Sequence, residues 1–138
     1  MKQRMRIAIT MGDPAGIGPE IIVKALSHVE IYQNCVPIVI GDYAALADAV
    51  RFCNLPLELQ EISDVEEAKG EFGSIDLINM NKLQLGEWEY KKNSAKCGEA
   101  SFQYAIHGIK QAMEGKVQAV VTAPINKESI NMAGYHYS

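Results

Sequence analysis

The run Thr10-Met11-Gly12-Asp13-Pro14-Ala15-Gly16-Ile17-Gly18-Pro19-Glu20 sets a carboxylate among three glycines, between an apolar strand pattern and the start of a helix. A turn of this kind lies at the carboxyl edge of a parallel sheet, where open α/β folds bind their ligands. Glycines there permit backbone geometries and close approaches that other residues forbid. Asp13 can orient a hydroxyl, an ammonium or a lysine. A second run, Thr122-Ala123-Pro124-Ile125-Asn126-Lys127, also joins a strand end to a helix start. Thr122 and Asn126 offer hydrogen bonds to a ligand, and Lys127 can pair with a phosphate or carboxylate. Taken alone, this run reads better as an Asn126 helix cap beside a solvated lysine. Two polar strand-to-helix turns at one sheet edge favour a shared cleft, with Gly12, Asp13, Gly16, Gly18, Thr122, Asn126 and Lys127 as its candidate residues.

Common phosphate motifs fit poorly. No G-K-[ST] follows the glycines, so the first turn is not a P-loop. As a dinucleotide fingerprint, Gly16-Ile17-Gly18 supplies two glycines, but Ile21 stands at the third position and Pro19 removes an N–H. Asp42, at the end of the second strand, stands where a ribose-binding acid would; a helix N-cap is the commoner role for such a residue and the preferred one. His28, His107 and His136 show no metal-ligand spacing. His107 is expected to meet a local hydrogen bond or water, and His28 to end a helix. No nucleophile–histidine–acid set follows from residue order.

The elements that must hold these turns alternate. Strand patterns cover Arg6–Thr10, Val36–Ile40, Leu57–Ile62, Ile75–Asn79 and Val117–Thr122. Helical patterns start at Pro19 and span Tyr43–Cys53, Gly98–Gly115 and Ile125–Ala133, the last closed by Gly134. Phe102, Ala105, Ile106, Ile109, Ala112 and Met113 give the third of these its apolar face. Asp64–Gly70 is expected to be a short helix or loop. Met80–Lys96 reads as a loop that packs an aromatic or two, a partner chain being one candidate surface. The order predicts one α/β domain: a mostly parallel, twisted sheet with helices on both faces.

The chain has 138 residues, enough for one domain, with 13 basic against 17 acidic side chains and a net charge of −4. Without a basic run, nucleic acid and anionic membranes are poor candidates as partners. A mildly acidic protein still binds phosphate through backbone N–H groups, which the charge count ignores. Cys35, Cys53 and Cys97 are odd in number and form no C-x-x-C pair; with no leader pattern before the first strand, they read as reduced thiols of a cytoplasmic protein. No apolar run reaches the length of a membrane span.

The motif TMGDPAGIGPEI (Thr10–Ile21) closely resembles the opening of 4-hydroxythreonine-4-phosphate dehydrogenases, enzymes of pyridoxal phosphate biosynthesis. VVTAPINKESINMAG (Val120–Gly134) resembles a second signature of that family at the expected distance. The resemblance spans the whole chain. It implies an α/β/α sandwich like that of isocitrate and isopropylmalate dehydrogenases, here incomplete, and homodimers with the active site near the subunit interface. It implies NAD-dependent oxidation of a secondary alcohol followed by loss of CO2 from a β-keto acid, assisted by a divalent metal (zinc, magnesium or cobalt). The implied substrate is 4-phosphooxy-L-threonine; related members act on phosphorylated four-carbon sugar acids. Family members continue with a Gly-His-Thr-Glu motif whose His and Thr bind substrate. This chain ends at Ser138, and His136 lies in the variable run before that motif. The NAD-binding segment and metal ligands are thus expected beyond residue 138, leaving this chain inactive alone.

Two readings from other classes compete. One is a self-sufficient module that binds a phosphorylated ligand without catalysis. The other is a Rossmann-type nucleotide domain using Gly16, Gly18 and Asp42.

Overall fold

The computed structural model describes residues 3–136. β1 (Met5–Thr10) leads through the first glycine turn to α1 (Gly18–Ala25) and α2 (Val29–Asn34), then β2 (Cys35–Gly41) and α3 (Tyr43–Phe52). β3 (Glu58–Glu61), a 3-10 turn at Val65–Glu67 and β4 (Ser74–Asn79) follow. An irregular segment reaches α4 (Ala95–Met113), and β5 (Ala119–Thr122) and α5 (Lys127–Met132) follow it.

The expected elements are present with bounds shifted by one to three residues, but the apolar face read for α4 is not the one it buries: Cys97, Ala100, Ser101, Tyr104 and Gly108 are buried, while Ile106, Ile109 and Met113 are exposed. Three further differences stand out. α2 is a short helix that the apolar pattern did not announce; His28 starts it from the N-cap position instead of ending α1, which closes at Leu26. α4 starts at Ala95 instead of Gly98, because the Ser94 hydroxyl caps it by accepting from the Cys97 N–H at 3.1 Å. Among the described residues the sheet is wholly parallel, in the order β3-β4-β2-β1-β5.

That order fixes where the helices lie. The crossovers β1 to β2 and β2 to β3 step one way along the sheet, and β4 to β5 steps back the other way. Right-handed crossovers then put α1 and α3 on one face and α4 on the other. α1 indeed packs on α3, and α4 packs on β1, β2, β5 and α5. Both faces of the sheet's centre are buried: Ile38, Val39 and Ile40 of β2 and Ile75 and Leu77 of β4 are fully shielded, with Leu46 of α3 and Tyr104 of α4 over them. Each such side chain contributes about 1.5–3 kcal/mol by leaving water.

Two glycines let α4 come close. A Cβ on Gly108 would stand 2.7 Å from Thr10 Cγ2 and 3.3 Å from Val120 Cγ1. One on Gly98 would stand 1.8 Å from the Ser129 carbonyl oxygen, so the backbones of α4 and α5 touch there.

Candidate functional site

β1 and β5 are neighbours, and the register pairs Thr10 with Thr122. The turns that leave these strands therefore stand side by side at the carboxyl edge. One chain path runs to α1 on one face and the other to α5, which packs on α4 at the opposite face. This is a topological switch point, the place where open α/β sheets form a crevice.

The turns are bonded directly. The Asp13 N–H donates to the Pro124 carbonyl at 2.9 Å, and the Ala123 N–H donates to the Thr10 carbonyl at 2.9 Å. Gly12 has φ +71°, and a Cβ there would lie 2.3 Å from Pro124 O. A Cβ on Gly18 would lie 2.3 Å from Met11 O and 3.4 Å from the Ala123 side chain. These two glycines thus serve the contact of protein with protein. Gly16 closes the first turn, its N–H donating to Asp13 O at 3.0 Å, and a Cβ on it would crowd Asp13 Oδ2 at 3.3 Å.

Asp13 is the buried charge of the site, 7% exposed. Its Oδ1 accepts from the Ala15 N–H at 3.1 Å, and the Asn126 side chain also donates to the carboxylate. Burial pushes its pKa above the ordinary aspartate range, and these two hydrogen bonds oppose the shift. Asn126 does cap α5: its Oδ1 accepts from the Ser129 N–H at 3.0 Å. Lys127 follows as the first residue of α5 and is exposed. Thr122 is exposed at the end of β5, in a hollow of about 470 Å³ shared with Ser101, Phe102 and Pro124. A second hollow of about 360 Å³ lies against the first turn, lined by Ala15, Gly16, Ile17, Glu20, Phe52 and Tyr90. The structure thus joins Gly12, Asp13, Gly16, Gly18 and Asn126 into one cluster, with Lys127 next to it and Thr122 on its α4 side.

A larger hollow, about 630 Å³, opens beyond the ends of β3 and β4. It is a weaker candidate despite its size, because Asn79 on its wall is already spent on Glu61, Asn81 and the Tyr43 N–H.

Of the two readings of Asp42, the N-cap position holds and the ribose acid does not. It occupies the N-cap position of α3, yet its side chain makes no cap bond. Its carboxylate instead accepts from the N–H groups of Lys82 (2.7 Å) and Leu83 (3.0 Å) and from the Tyr104 hydroxyl. It is 1% exposed, so no ribose could reach it. Tyr104 has its pKa raised by burial first and then by the Asp42 charge. The dinucleotide reading of the first turn fails with it. Gly18 is filled by protein atoms, Pro19 offers no N–H, and the supposed ribose acid is sealed.

Sequence reasoning missed the contribution of the irregular segment. The Lys91 N–H donates to Ala15 O at 2.7 Å, the Ser94 N–H to Ser129 Oγ at 3.0 Å, and Asn93 bonds Asn126 at 2.5 Å. Ser94, as a capping residue ahead of α4, was the one local signal there. Trp88 packs against the core and Tyr90 meets Phe52 edge-on, so the expected aromatics do pack, and they do so within this chain. His107 has its expected local contact, with Gln111 at 3.5 Å. The thiols are free: Cys97 is buried, and Cys35 and Cys53 are half-buried.

Among the described residues no group of three His, Cys, Asp or Glu is placed to hold a metal ion. No helix among them is long and apolar enough to cross a membrane. The donor set around Asp13, one carboxylate with amides and backbone groups, does not fit a divalent metal by itself.

Fold and site together define a class: parallel α/β domains with a polar crevice at the switch point. Residues 33–138 match the family described as pyridoxal phosphate biosynthetic protein PdxA, and this chain belongs to that family. A 4-hydroxythreonine-4-phosphate dehydrogenase from Burkholderia phymatum has a similar structure, with a TM-score of 0.95 and 37% identity over 99% of this chain and 41% of that one. One from Klebsiella pneumoniae gives a TM-score of 0.90 at 34% identity, over 96% and 41%. A Clostridium botulinum protein that carries the provisional name D-threonate 4-phosphate dehydrogenase is 41% identical over 95% of this chain and 39% of its own length. The chain thus spans about two-fifths of the length of these relatives.

Proposed function

We propose that this chain forms the substrate-facing part of a dehydrogenase that oxidises a 4-phosphorylated four-carbon hydroxy acid with NAD and then releases CO2. The observation that carries this reading is the bonded pair of turns at the β1–β5 switch point, with Asp13 buried at their junction. The dehydrogenase names of the similar structures support the reaction class. In this reading Asp13 orients a substrate hydroxyl or ammonium, and Lys127 meets an anionic group. NAD and the divalent metal are held by residues outside this chain, which fits neither group. The active form is a homodimer in the cytoplasm.

Two substrates fit the class, differing by an amino or a hydroxyl group next to the carboxylate. 4-Phosphooxy-L-threonine belongs to pyridoxal 5'-phosphate biosynthesis and matches the names of the similar structures. The sugar acid D-threonate 4-phosphate matches the names of relatives at 41–42% identity, and that similarity favours it as the second reading.

The test is a chimera that joins this chain to the remaining three-fifths of the Burkholderia phymatum enzyme. It should reduce NAD with one of the two acids, while the 138-residue chain alone should not. A folded dimeric chimera inert towards both acids overturns the proposal, and so does turnover by the chain alone.

A further inference from the structure

Asn93 lies between β4 and α4, where no periodic pattern marks it. Its Nδ2 donates to Glu128 Oε2 at 2.8 Å, and its Oδ1 accepts from Asn126 Nδ2 at 2.5 Å. Asn126 in turn accepts at Oδ1 from the Ser129 N–H and donates to the Asp13 carboxylate. The direction of each bond is imposed from the ends. An ionised Glu128 and an ionised Asp13 only accept, and the Ser129 N–H only donates. A flip of either amide would set donor against donor or acceptor against acceptor at two places.

The same segment is tied to both turns through its backbone. Lys91 bonds Ala15 of the first turn, and Ser94 bonds Ser129 of α5. Asn93 is thus held from either side, at the point where it meets Asn126.

We infer that Asn93 is a positioning residue for the cleft: by accepting one N–H of Asn126 it fixes that carboxamide in the plane that caps α5 and turns the other N–H onto Asp13. The inference rests on reading the two turns as the substrate cleft. It divides the labour there. Asn126 has its donors and its acceptor engaged inside the protein, so it supports Asp13 and leaves ligand contact to that carboxylate and to Lys127.

The test uses the 138-residue chain with no substrate, so its failure is separate from failure of the dehydrogenase reading. The side-chain carboxyl carbon of Asp13 is titrated by NMR in the wild type and in Asn93→Ala. The titratable groups that feel Asp13 from α4 are Cys97 and Tyr104, both pushed up by burial and uncharged through the range. Loss of the aligned Asn126 donor should raise the Asp13 midpoint by about half a unit or more. A merely structural role would lower the melting temperature and leave that midpoint in place, which overturns the inference. Should Asn93→Ala fail to fold, the wild type decides through hydrogen exchange of the Asn126 side-chain amide. Exchange about tenfold slower than at the exposed Gln60 supports the inference. Equal rates overturn it.

Discussion

The backbone N–H of Asp13 donates to the carbonyl of Pro124 at 2.9 Å, across the ends of two neighbouring parallel strands. Room for that bond comes from Gly12, which has φ +71° and no side chain to strike Pro124 O. Gly12→Ala should therefore part the turns. It adds both a left-handed alanine and a clash with backbone, for a loss of about 2 kcal/mol or more. Urea unfolding of the variant measures this. An unchanged midpoint would show that the turns do not depend on each other.

Asp13 makes stability depend on pH. Its folded pKa is raised, so the folded chain holds the proton to higher pH than the unfolded chain does. The stabilisation is full below the unfolded value, about pH 4, and is lost as pH rises through the folded value. Asp13→Asn should remove that component. Melting temperatures collected from about pH 4 to pH 7 should fall less with rising pH in the variant than in the wild type. Parallel profiles would contradict the burial of this carboxylate.

Asp42 and Tyr104 are 62 positions apart and form one buried pair. Tyr104→Phe leaves Asp42 its two backbone donors and should cost about 1–2 kcal/mol. Asp42→Ala strands the N–H groups of Lys82 and Leu83 as well as the tyrosine hydroxyl, and should cost more than the tyrosine change. It should also speed amide exchange through residues 82–94, since that segment loses its anchor to α3. If Asp42→Ala were the milder change, the carboxylate would not be the hub of this network.

The parts of this fold that a reader of the sequence can find are those with local causes. Val36–Ile40 is a continuous apolar run, as a strand buried on both faces requires. Gly12 to Gly18 mark a turn because only glycine allows such contacts. Both neighbourhoods of the cleft were legible for this reason. The joints between elements were not. Asn93 and Asn126 are 33 positions apart, and nothing in the short-range pattern of either names the other. Asp42 shows the same limit from the other side. A cap position is a local property, and a tyrosine from α4 together with a loop backbone outbid it.

Gly98 offers a test of how α5 is held. A glycine inside a 19-residue helix costs about 1 kcal/mol relative to alanine in propensity alone. Here that loss is outweighed by closeness, since a Cβ would sit 1.8 Å from Ser129 O. Gly98→Ala should push α5 off α4 and take Asn126 with it. Amide protection should be lost over residues 127–133 and kept in α1 and α3. Uniform loss across the domain would mean that α5 is not a separate unit.

The surface of α4 that faces away from the sheet predicts how the chain behaves in solution. Ile106, Ile109 and Met113 recur at helical spacing and are 39%, 48% and 83% exposed. Val121 on the adjacent edge strand is 52% exposed. Apolar side chains in such a row, next to a strand with an open hydrogen-bonding edge, favour association. The isolated chain should therefore form species heavier than its 15.2 kDa in a concentration-dependent way. Ile109→Lys with Met113→Lys should shift it towards monomer without lowering its melting temperature by more than about 4 °C, because neither side chain is in the core. Light scattering after size exclusion separates the outcomes. A wild-type monomer at high concentration would leave this surface inert. A double variant that stays associated would move the contact to the β5 edge.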